Sequence, residues 1–249
     1  AGACGALGVL ALQVGRLDTA RDLLLQAVAL GPHPHFWCAL GDTYATMGDG
    51  TAALEAYGKA RSIDPEWLPA YNNAAVALLQ AGRVSEAIEL YEGLISRALK
   101  RGDPACVKIA GEASSNLAEA YMQQGSLEMA RRHQRRAVEL CPAHAGIGSN
   151  WVRGLACMGE VDPVASLEEH RRWWQTYTRS IAPLRVETER VPDRPLRIGF
   201  VSPDFRYHSV AHFLLPLFER HDPARYAFFG YSAAAKEDDY TVRLARSAQ

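Results

Sequence analysis

The chain has 249 residues, 48% of them hydrophobic and 22% charged, so it is long enough for more than one core and unlike a disordered or fibrous protein. Its formal net charge of -1 provides no overall field that favours nucleic acid or an anionic membrane. No stretch reaches the ~20 apolar residues that span a bilayer, and no basic segment precedes residues 1–15 as in a secretory signal. We expect neither a nucleic-acid nor a membrane partner.

The five cysteines are scattered, odd in number and without C-x-x-C spacing: Cys4, Cys38, Cys106, Cys141 and Cys157. This pattern supports neither a disulfide framework nor a zinc site, and we expect no metal. We interpret them as buried thiols in a reducing compartment, which predicts a cytoplasmic protein. The chain begins inside a helical pattern without a methionine, so we expect a piece of a longer protein.

Small and large residues recur along the first part of the chain with one period. The first unit contains Leu7, Gly8, Gly15, Ala20, Leu24, Ala27 and Pro32. The second unit contains, at the corresponding positions, Leu40, Gly41, Gly48, Ala53, Tyr57, Ala60 and Pro65. This is the tetratricopeptide pattern of two antiparallel helices per unit of about 34 residues. The small residues let paired helices approach closely, and a proline closes each second helix.

Further units follow with altered spacing. A third unit runs over 71–91 and a fourth over 114–142, and the extra length between them predicts two lengthened helices around Gly102-Asp103-Pro104. A fifth, degenerate unit over 149–182 has Gly159 in register and a helix from Leu167 to Tyr177. The basic run 131–136 is interpreted as a solvated helix face. We predict tetratricopeptide repeats over 1–147 and a degenerate repeat, helix and linker over 148–195.

Three asparagines occupy one position of successive first helices, two residues before the position that is a small residue in the third and fourth units: Asn73, Asn116 and Asn150. Side-chain amides donate and accept, so a row of them can bind the backbone of an extended peptide whatever its sequence. Singly, each is better explained as a helix-capping or solvated residue; together they favour a peptide ladder. The first two units have alanine there, so the row is incomplete. A groove for acidic tails is disfavoured because Asp42, Val76 and Glu119 are not basic.

A different pattern begins after the proline-rich connector 182–195. Leu196 to Ser202 is apolar, as in a strand covered on both faces, and a polar loop leads to an amphipathic helix with Ser209 as its cap and a kink at Pro216. The helix pattern includes Phe213 and Leu217, and a second strand covers 226–232. Strand, helix, strand is the start of a parallel α/β domain, here over 196–249, and such sheets bind ligands at this loop.

The loop carries one candidate reactive group. His208 lies directly before the helix, where the dipole disfavours imidazolium and keeps the ring able to accept a proton or bond a hydroxyl. His212 on the helix is expected to pack or cap, and Asp204 to hold the loop by bonding backbone N–H groups. A lone histidine is more often structural, so spacing alone makes catalysis the minority interpretation.

These residues together resemble the tetratricopeptide-containing protein O-glycosyltransferases, comprising O-GlcNAc transferase and its Spindly relatives. The similar segments are the repeats, the helix at 168–173, the strand and loop 198–205 with His208-Ser209-Val210, and the residues around His221-Asp222 and Tyr231-Ser232. The resemblance implies an inverting enzyme that moves one sugar from a nucleotide-sugar to Ser or Thr hydroxyls of intracellular proteins, without a metal or further cofactor. Residues 196–249 would then begin the N-terminal catalytic lobe.

The resemblance also assigns roles and leaves alternatives. His208 matches the family's active-site histidine, as base or as positioning group, and the asparagines match its peptide ladder. The family binds the nucleotide in a second lobe, so we expect this chain to be inactive alone. We favour UDP-GlcNAc as donor; similarity of 208–210 and 231–236 to the Spindly branch makes GDP-fucose the alternative. A non-catalytic peptide-binding module is the alternative of another class.

Overall fold

A computed structural model describes residues 1–157, 162–182, 194–234 and 236–248, which form two compact units, Ala1–Ala182 and Pro183–Gln249. The predicted Gly159 position and the connector over 183–193 lie outside the described residues, and the predicted domain limits at 147 and 195 stay predictions. The helices of the first unit are α1 Gly2–Gln13, α2 Leu17–Leu30, α3 Pro34–Met47, α4 Gly50–Ile63, α5 Leu68–Gln80, α6 Val84–Arg101, α7 Pro104–Gln123, α8 Leu127–Leu140, α9 Ala145–Leu155 and α10 Pro163–Thr178.

The helices of the first unit form the predicted repeats. Each odd-numbered helix pairs with the next helix, and α1 also packs on α3, α3 on α5 and α7 on α9. The pairs turn at glycines with a positive φ, a conformation that side chains disfavour: Gly15, Gly48, Gly82 and Gly125. The described residues thus confirm an all-helical tetratricopeptide array.

Small residues bring the paired helices together, as the repeat pattern requires. A Cβ added at Gly41 would lie 2.4 Å from the buried Tyr57 ring, and one at Gly8 would lie 2.7 Å from Leu24. The two lengthened helices are also confirmed, because α6 has 18 residues and α7 has 20. Gly102 ends α6 with φ of 69°, and the carboxylate of Asp103 accepts from the Cys106 N–H at 2.9 Å, which starts α7.

The degenerate fifth unit is a pair of helices, α9 and α10. The predicted helix at 167–177 is real but begins earlier, because Asp162 caps the N–H groups of Val164 and Ala165. Trp173 packs on the cluster around Trp151, whereas Trp174 is 61% exposed.

The second unit contains β1 Leu196–Ser202, α11 Ser209–Arg220, β2 Tyr226–Ser232 and α12 Asp239–Ser247. The strands are parallel, with Leu196 opposite Tyr226 and Ser202 opposite Ser232. The core lies between one sheet face and the two helices and contains Phe205, Leu215, Phe218, Phe228 and Leu244.

Three expectations for this unit were wrong. β1 is not covered on both faces, since Val201 is 80% exposed and the described helices pack on the other face only. Phe213, also predicted to face the core, is 81% exposed, and Leu217 is 46% exposed. The helix begins at Ser209 itself, and the cap is His208, because its ring reaches the Val210 N–H.

Candidate functional site

The asparagine row lies on α5, α7 and α9, the first helices of three successive repeats. Asn73 and Asn116 are half-buried and Asn150 is exposed. Asn116 and Asn150 line one pocket of about 410 Å³, together with Glu119 and Arg153. Asn73 lies outside that lining but is joined to Asn116 through a chain of hydrogen bonds. The structure therefore connects all three predicted positions without bringing their side chains into direct contact.

The chain of hydrogen bonds begins at a half-buried carboxylate, that of Asp42. Oδ1 of Asp42 accepts from the Tyr57 hydroxyl at 2.7 Å and from Nδ2 of Asn73 at 2.8 Å. Burial raises the pKa of Asp42, and the donors Tyr57 and Asn73 lower it in part. A carboxylate only accepts, so the atom of Asn73 that faces Asp42 must be its nitrogen. Asp42 thereby determines how the first amide of the row is turned.

That orientation continues to the next repeat. Oδ1 of Asn73 accepts from Nδ2 of Asn72 at 3.2 Å, and Oδ1 of Asn72 accepts from Nδ2 of Asn116 at 3.3 Å. Each bond uses one carbonyl oxygen and one of two N–H groups. Within the described residues, the second N–H groups of Asn72 and Asn73 form no hydrogen bond with the protein and can donate to a ligand.

A donor determines the orientation at the other end of the row. A guanidinium nitrogen of Arg153 donates to Oδ1 of Asn150 at 3.3 Å, so Nδ2 of Asn150 points the other way, to the Ser115 hydroxyl at 3.2 Å. Ser115 donates to Gln134 at 3.2 Å, and Gln134 donates to the carbonyl of Ile147 at 3.2 Å. The row presents N–H groups in excess, which suits the carbonyl oxygens of an extended backbone.

Asp42 and Glu119 were predicted to face the groove, whereas Asn72, Ser115 and Arg153 were not predicted to belong to the site. The sequence signal for these residues was weak. Asn72 and Ser115 join the hydrogen-bond network only through contacts with the next repeat, and these contacts cannot be deduced from spacing within one helix. Asn72 could have been detected in the sequence, because it is a second asparagine directly before Asn73.

His208 caps α11 in the second unit. Its Nδ1 accepts from the Val210 N–H at 3.2 Å, which leaves the proton of a neutral ring on Nε2. Nε2 is thus a hydrogen-bond donor in this conformation, and a role as base requires the other tautomer. The ring is 38% exposed, and Oδ2 of Asp204 lies 3.8 Å from Nδ1, beyond hydrogen-bond distance.

Asp238, and not Asp204 as expected, holds the loop by accepting hydrogen bonds from backbone N–H groups. The Asp204 carboxylate accepts from the Arg206 side chain at 3.3 Å and, among the described residues, from no backbone N–H. Asp238 instead accepts from the N–H groups of Tyr207, Tyr240 and Thr241, which lowers its pKa. His212 packs as expected, with its ring 5.6 Å from that of Tyr207 and 5.0 Å from that of Tyr240.

Three of the five cysteines are buried as expected: Cys38, Cys106 and Cys141. Cys157 is exposed and lines the asparagine pocket, which contradicts the interpretation of all five as buried thiols. Among the described residues, no three His, Cys, Asp or Glu side chains are grouped as a metal site requires, and none of the helices has the length and apolarity to cross a bilayer.

Comparison with known proteins identifies the repeats. Three tetratricopeptide-repeat families match residues 6–67, 44–105 and 112–148. A stretch of 105 residues is 32% identical to Spindly of Arabidopsis thaliana, named as a probable UDP-N-acetylglucosamine–peptide N-acetylglucosaminyltransferase, and spans 41% of this chain but 11% of that protein.

Two solved structures share the fold. An O-GlcNAc transferase variant from Thermobaculum terrenum aligns with a TM-score of 0.63 at 23% identity, over 87% of this chain and 40% of that one. PilF of Pseudomonas aeruginosa aligns with a TM-score of 0.58 at 19% identity, over 74% of this chain and 77% of that one.

Proposed function

The chain belongs to the tetratricopeptide-repeat proteins, with repeats similar to those of Spindly, and we propose that it is the substrate-binding arm and first catalytic segment of a protein O-glycosyltransferase. In this proposal the complete protein transfers one GlcNAc from UDP-GlcNAc to Ser or Thr of cytoplasmic proteins. The observation that carries it is the combination of an asparagine row on the repeats with a parallel strand-loop-helix unit whose helix is capped by a histidine.

The repeat arm would bind the acceptor protein. The second N–H groups of Asn73 and Asn72 belong to a hydrogen-bonded row that continues to Asn116, as expected for binding along an extended backbone rather than around one side chain. Donors aimed at backbone carbonyls bind many sequences, which suits an enzyme with many protein acceptors. Glu119 and Arg153 in the pocket lining carry opposite charges, so the pocket has no net charge that would select acceptor segments by their sign.

The second unit would supply part of the reaction site. With its proton on Nε2, His208 can donate to the acceptor hydroxyl or to a sugar oxygen and thereby position it. We therefore favour the positioning role, with base catalysis only after a change of tautomer. The O-GlcNAc transferase alignment covers 87% of the chain, a larger share than the helical unit Ala1–Ala182 occupies, which supports similarity of fold beyond the repeats.

Two alternatives predict different outcomes in one experiment. The complete protein would be incubated with a candidate acceptor and equal amounts of UDP-GlcNAc and GDP-fucose, and the intact mass of the acceptor recorded. Added N-acetylhexosamine supports the proposal, whereas added deoxyhexose replaces it with a Spindly-type O-fucosyltransferase. An unchanged mass with every acceptor that binds the repeats supports a non-catalytic peptide-binding module.

A test of His208 separates its two roles. His208→Ala in the complete protein should lower kcat by roughly a hundredfold, the typical contribution of a positioned proton-transfer or donor group. His208→Gln keeps a donor but no base, so partial recovery of kcat supports the positioning role. Near-normal turnover of His208→Ala would remove His208 from the site.

A further inference from the structure

The first turn of α9 is capped by a histidine. Nδ1 of His144 accepts a hydrogen bond from the Ile147 N–H at 3.3 Å. The ring lies against Gly146, where an added Cβ would be 3.2 Å from Cε1 of His144, so the glycine leaves room for this ring position. Only a ring with an unprotonated Nδ1 can accept the bond. The cap therefore exists when His144 is neutral and is lost when Nδ1 gains a proton.

The capped turn is connected to the asparagine row. The carbonyl of Ile147 accepts from Nε2 of Gln134 at 3.2 Å, and Oε1 of Gln134 accepts from the Ser115 hydroxyl at 3.2 Å. That hydroxyl in turn accepts from Nδ2 of Asn150 at 3.2 Å. A continuous series of hydrogen bonds, passing through the backbone of Ile147, thus joins the His144 ring to the last amide of the row.

The middle of this series is buried. Ile147 and Gln134 are each 3% exposed, and Ser115 is 7% exposed. A buried polar group that loses its partner is costly, because water cannot replace the lost hydrogen bond. If the Ile147 carbonyl moves, Gln134 and Ser115 must therefore move with it or lose their bonds. Either outcome changes the surroundings of Asn150.

A carboxylate offers the protonated ring a second partner. Oε1 of Glu112 on α7 lies 3.7 Å from Nε2 of His144, and Nζ of Lys108 lies 3.8 Å from the same oxygen. Beside this turn are also the Cys141 thiol and the Tyr177 hydroxyl, and burial raises the pKa of both, so they stay neutral in mild acid. A helix N-terminus repels a positive charge, whereas Glu112 attracts it. Protonation therefore favours a ring turned away from the cap.

We propose that His144 is a pH-sensitive positioning residue for the asparagine row. Neutral His144 caps α9 and holds Asn150 through the buried hydrogen bonds, whereas protonated His144 pairs with Glu112 and releases the first turn of α9. Histidine changes its charge between about pH 5 and 8, so mild acid should loosen the groove at Asn150. The inference rests on the proposed function only for its consequence, which is weaker binding of acceptor proteins in mild acid.

NMR of the 249-residue chain tests the proposal without an acceptor. The side-chain amide signals of Gln134 and Asn150 are followed between about pH 8 and 5, the range in which histidine titrates. Both signals should shift together with the titration of the His144 ring. His144→Asn keeps a preferred cap that does not titrate, so both signals should then lose this shift. The matched control is His170→Asn, an exposed histidine on α10 that caps no helix, and it should behave like the parent.

Each outcome decides the role of His144. Loss of the shift in His144→Asn but not in His170→Asn supports the proposal, whereas signals that never move, or that move equally in His144→Asn, overturn it. In the complete protein, the KM for a protein acceptor should rise in mild acid by at least about fivefold, the lower end of typical coupling between sites, and should not rise in His144→Asn. An equal rise in both would also overturn the proposal. Absence of sugar transfer by the parent would refute the proposed function alone, since the NMR result does not depend on it.

Discussion

Substituting Gly41 by alanine tests whether close helix contact controls the asparagine network. An alanine Cβ would lie 2.4, 2.7 and 2.9 Å from three atoms of the Tyr57 ring, which is 2% exposed and cannot move into solvent without leaving the core. The ring must shift, and its hydroxyl then loses the 2.7 Å bond to the Asp42 carboxylate.

The expected loss of unfolding free energy combines three effects. Overpacking of a core costs about 1–3 kcal/mol, and loss of a hydrogen bond to a charged group costs about 1.5–3 kcal/mol. Alanine in a helix regains about 1 kcal/mol relative to glycine. Gly41→Ala should therefore destabilise the repeat unit by about 1.5–5 kcal/mol.

Urea unfolding followed by circular dichroism measures the effect, with Gly58→Ala as matched control. A Cβ at Gly58, in the interior of α4, would meet no atom within 4 Å, so that variant should be stabilised by about 0.5–1 kcal/mol. The two substitutions are chemically identical and should act in opposite directions. A Gly41→Ala variant as stable as the parent would refute the packing argument.

Two further predictions concern the half-buried Asp42 and the buried Cys38. Because burial raises the pKa of Asp42, the folded protein binds that proton more tightly than the unfolded chain, so this group adds stability at low pH that is lost as pH rises through the folded pKa. Asp42→Asn should therefore gain stability relative to the parent at pH 7, and the difference should shrink on acidification in pH-dependent unfolding; a constant difference would contradict this. Burial also raises the pKa of the Cys38 thiol to about 12, so maleimide should label Cys157 in the native protein and Cys38 only after unfolding, as read by peptide mass spectrometry.

The repeats could be predicted because their signals are local. Glycines at helix ends need a positive φ, and small residues such as Gly41 recur at a fixed distance from large ones such as Tyr57. The register that aligned these residues also placed Asn73, Asn116 and Asn150 on successive first helices. Helix boundaries and repeat register can therefore be predicted without knowing which side-chain atoms are in contact.

The hydrogen bonds could not be predicted, because they join distant residues. Asp238, rather than Asp204, binds the Tyr207 N–H across 31 positions, and Asn116 meets Asn72 across 44. The cap of α11 depends on the rotamer of His208, which no spacing rule supplies. The exposure of Val201 depends on which elements pack over β1, and an apolar sequence does not determine that.

The most direct test of the account compares sugar transfer by the complete protein with transfer by a variant carrying Asn73→Ala, Asn116→Ala and Asn150→Ala. The intact mass of a protein acceptor is followed over time with UDP-GlcNAc as donor. The account predicts N-acetylhexosamine addition by the parent and at least about tenfold slower addition by the variant, since three backbone-binding amides are lost. No addition by the parent, or equal rates for both, would contradict it.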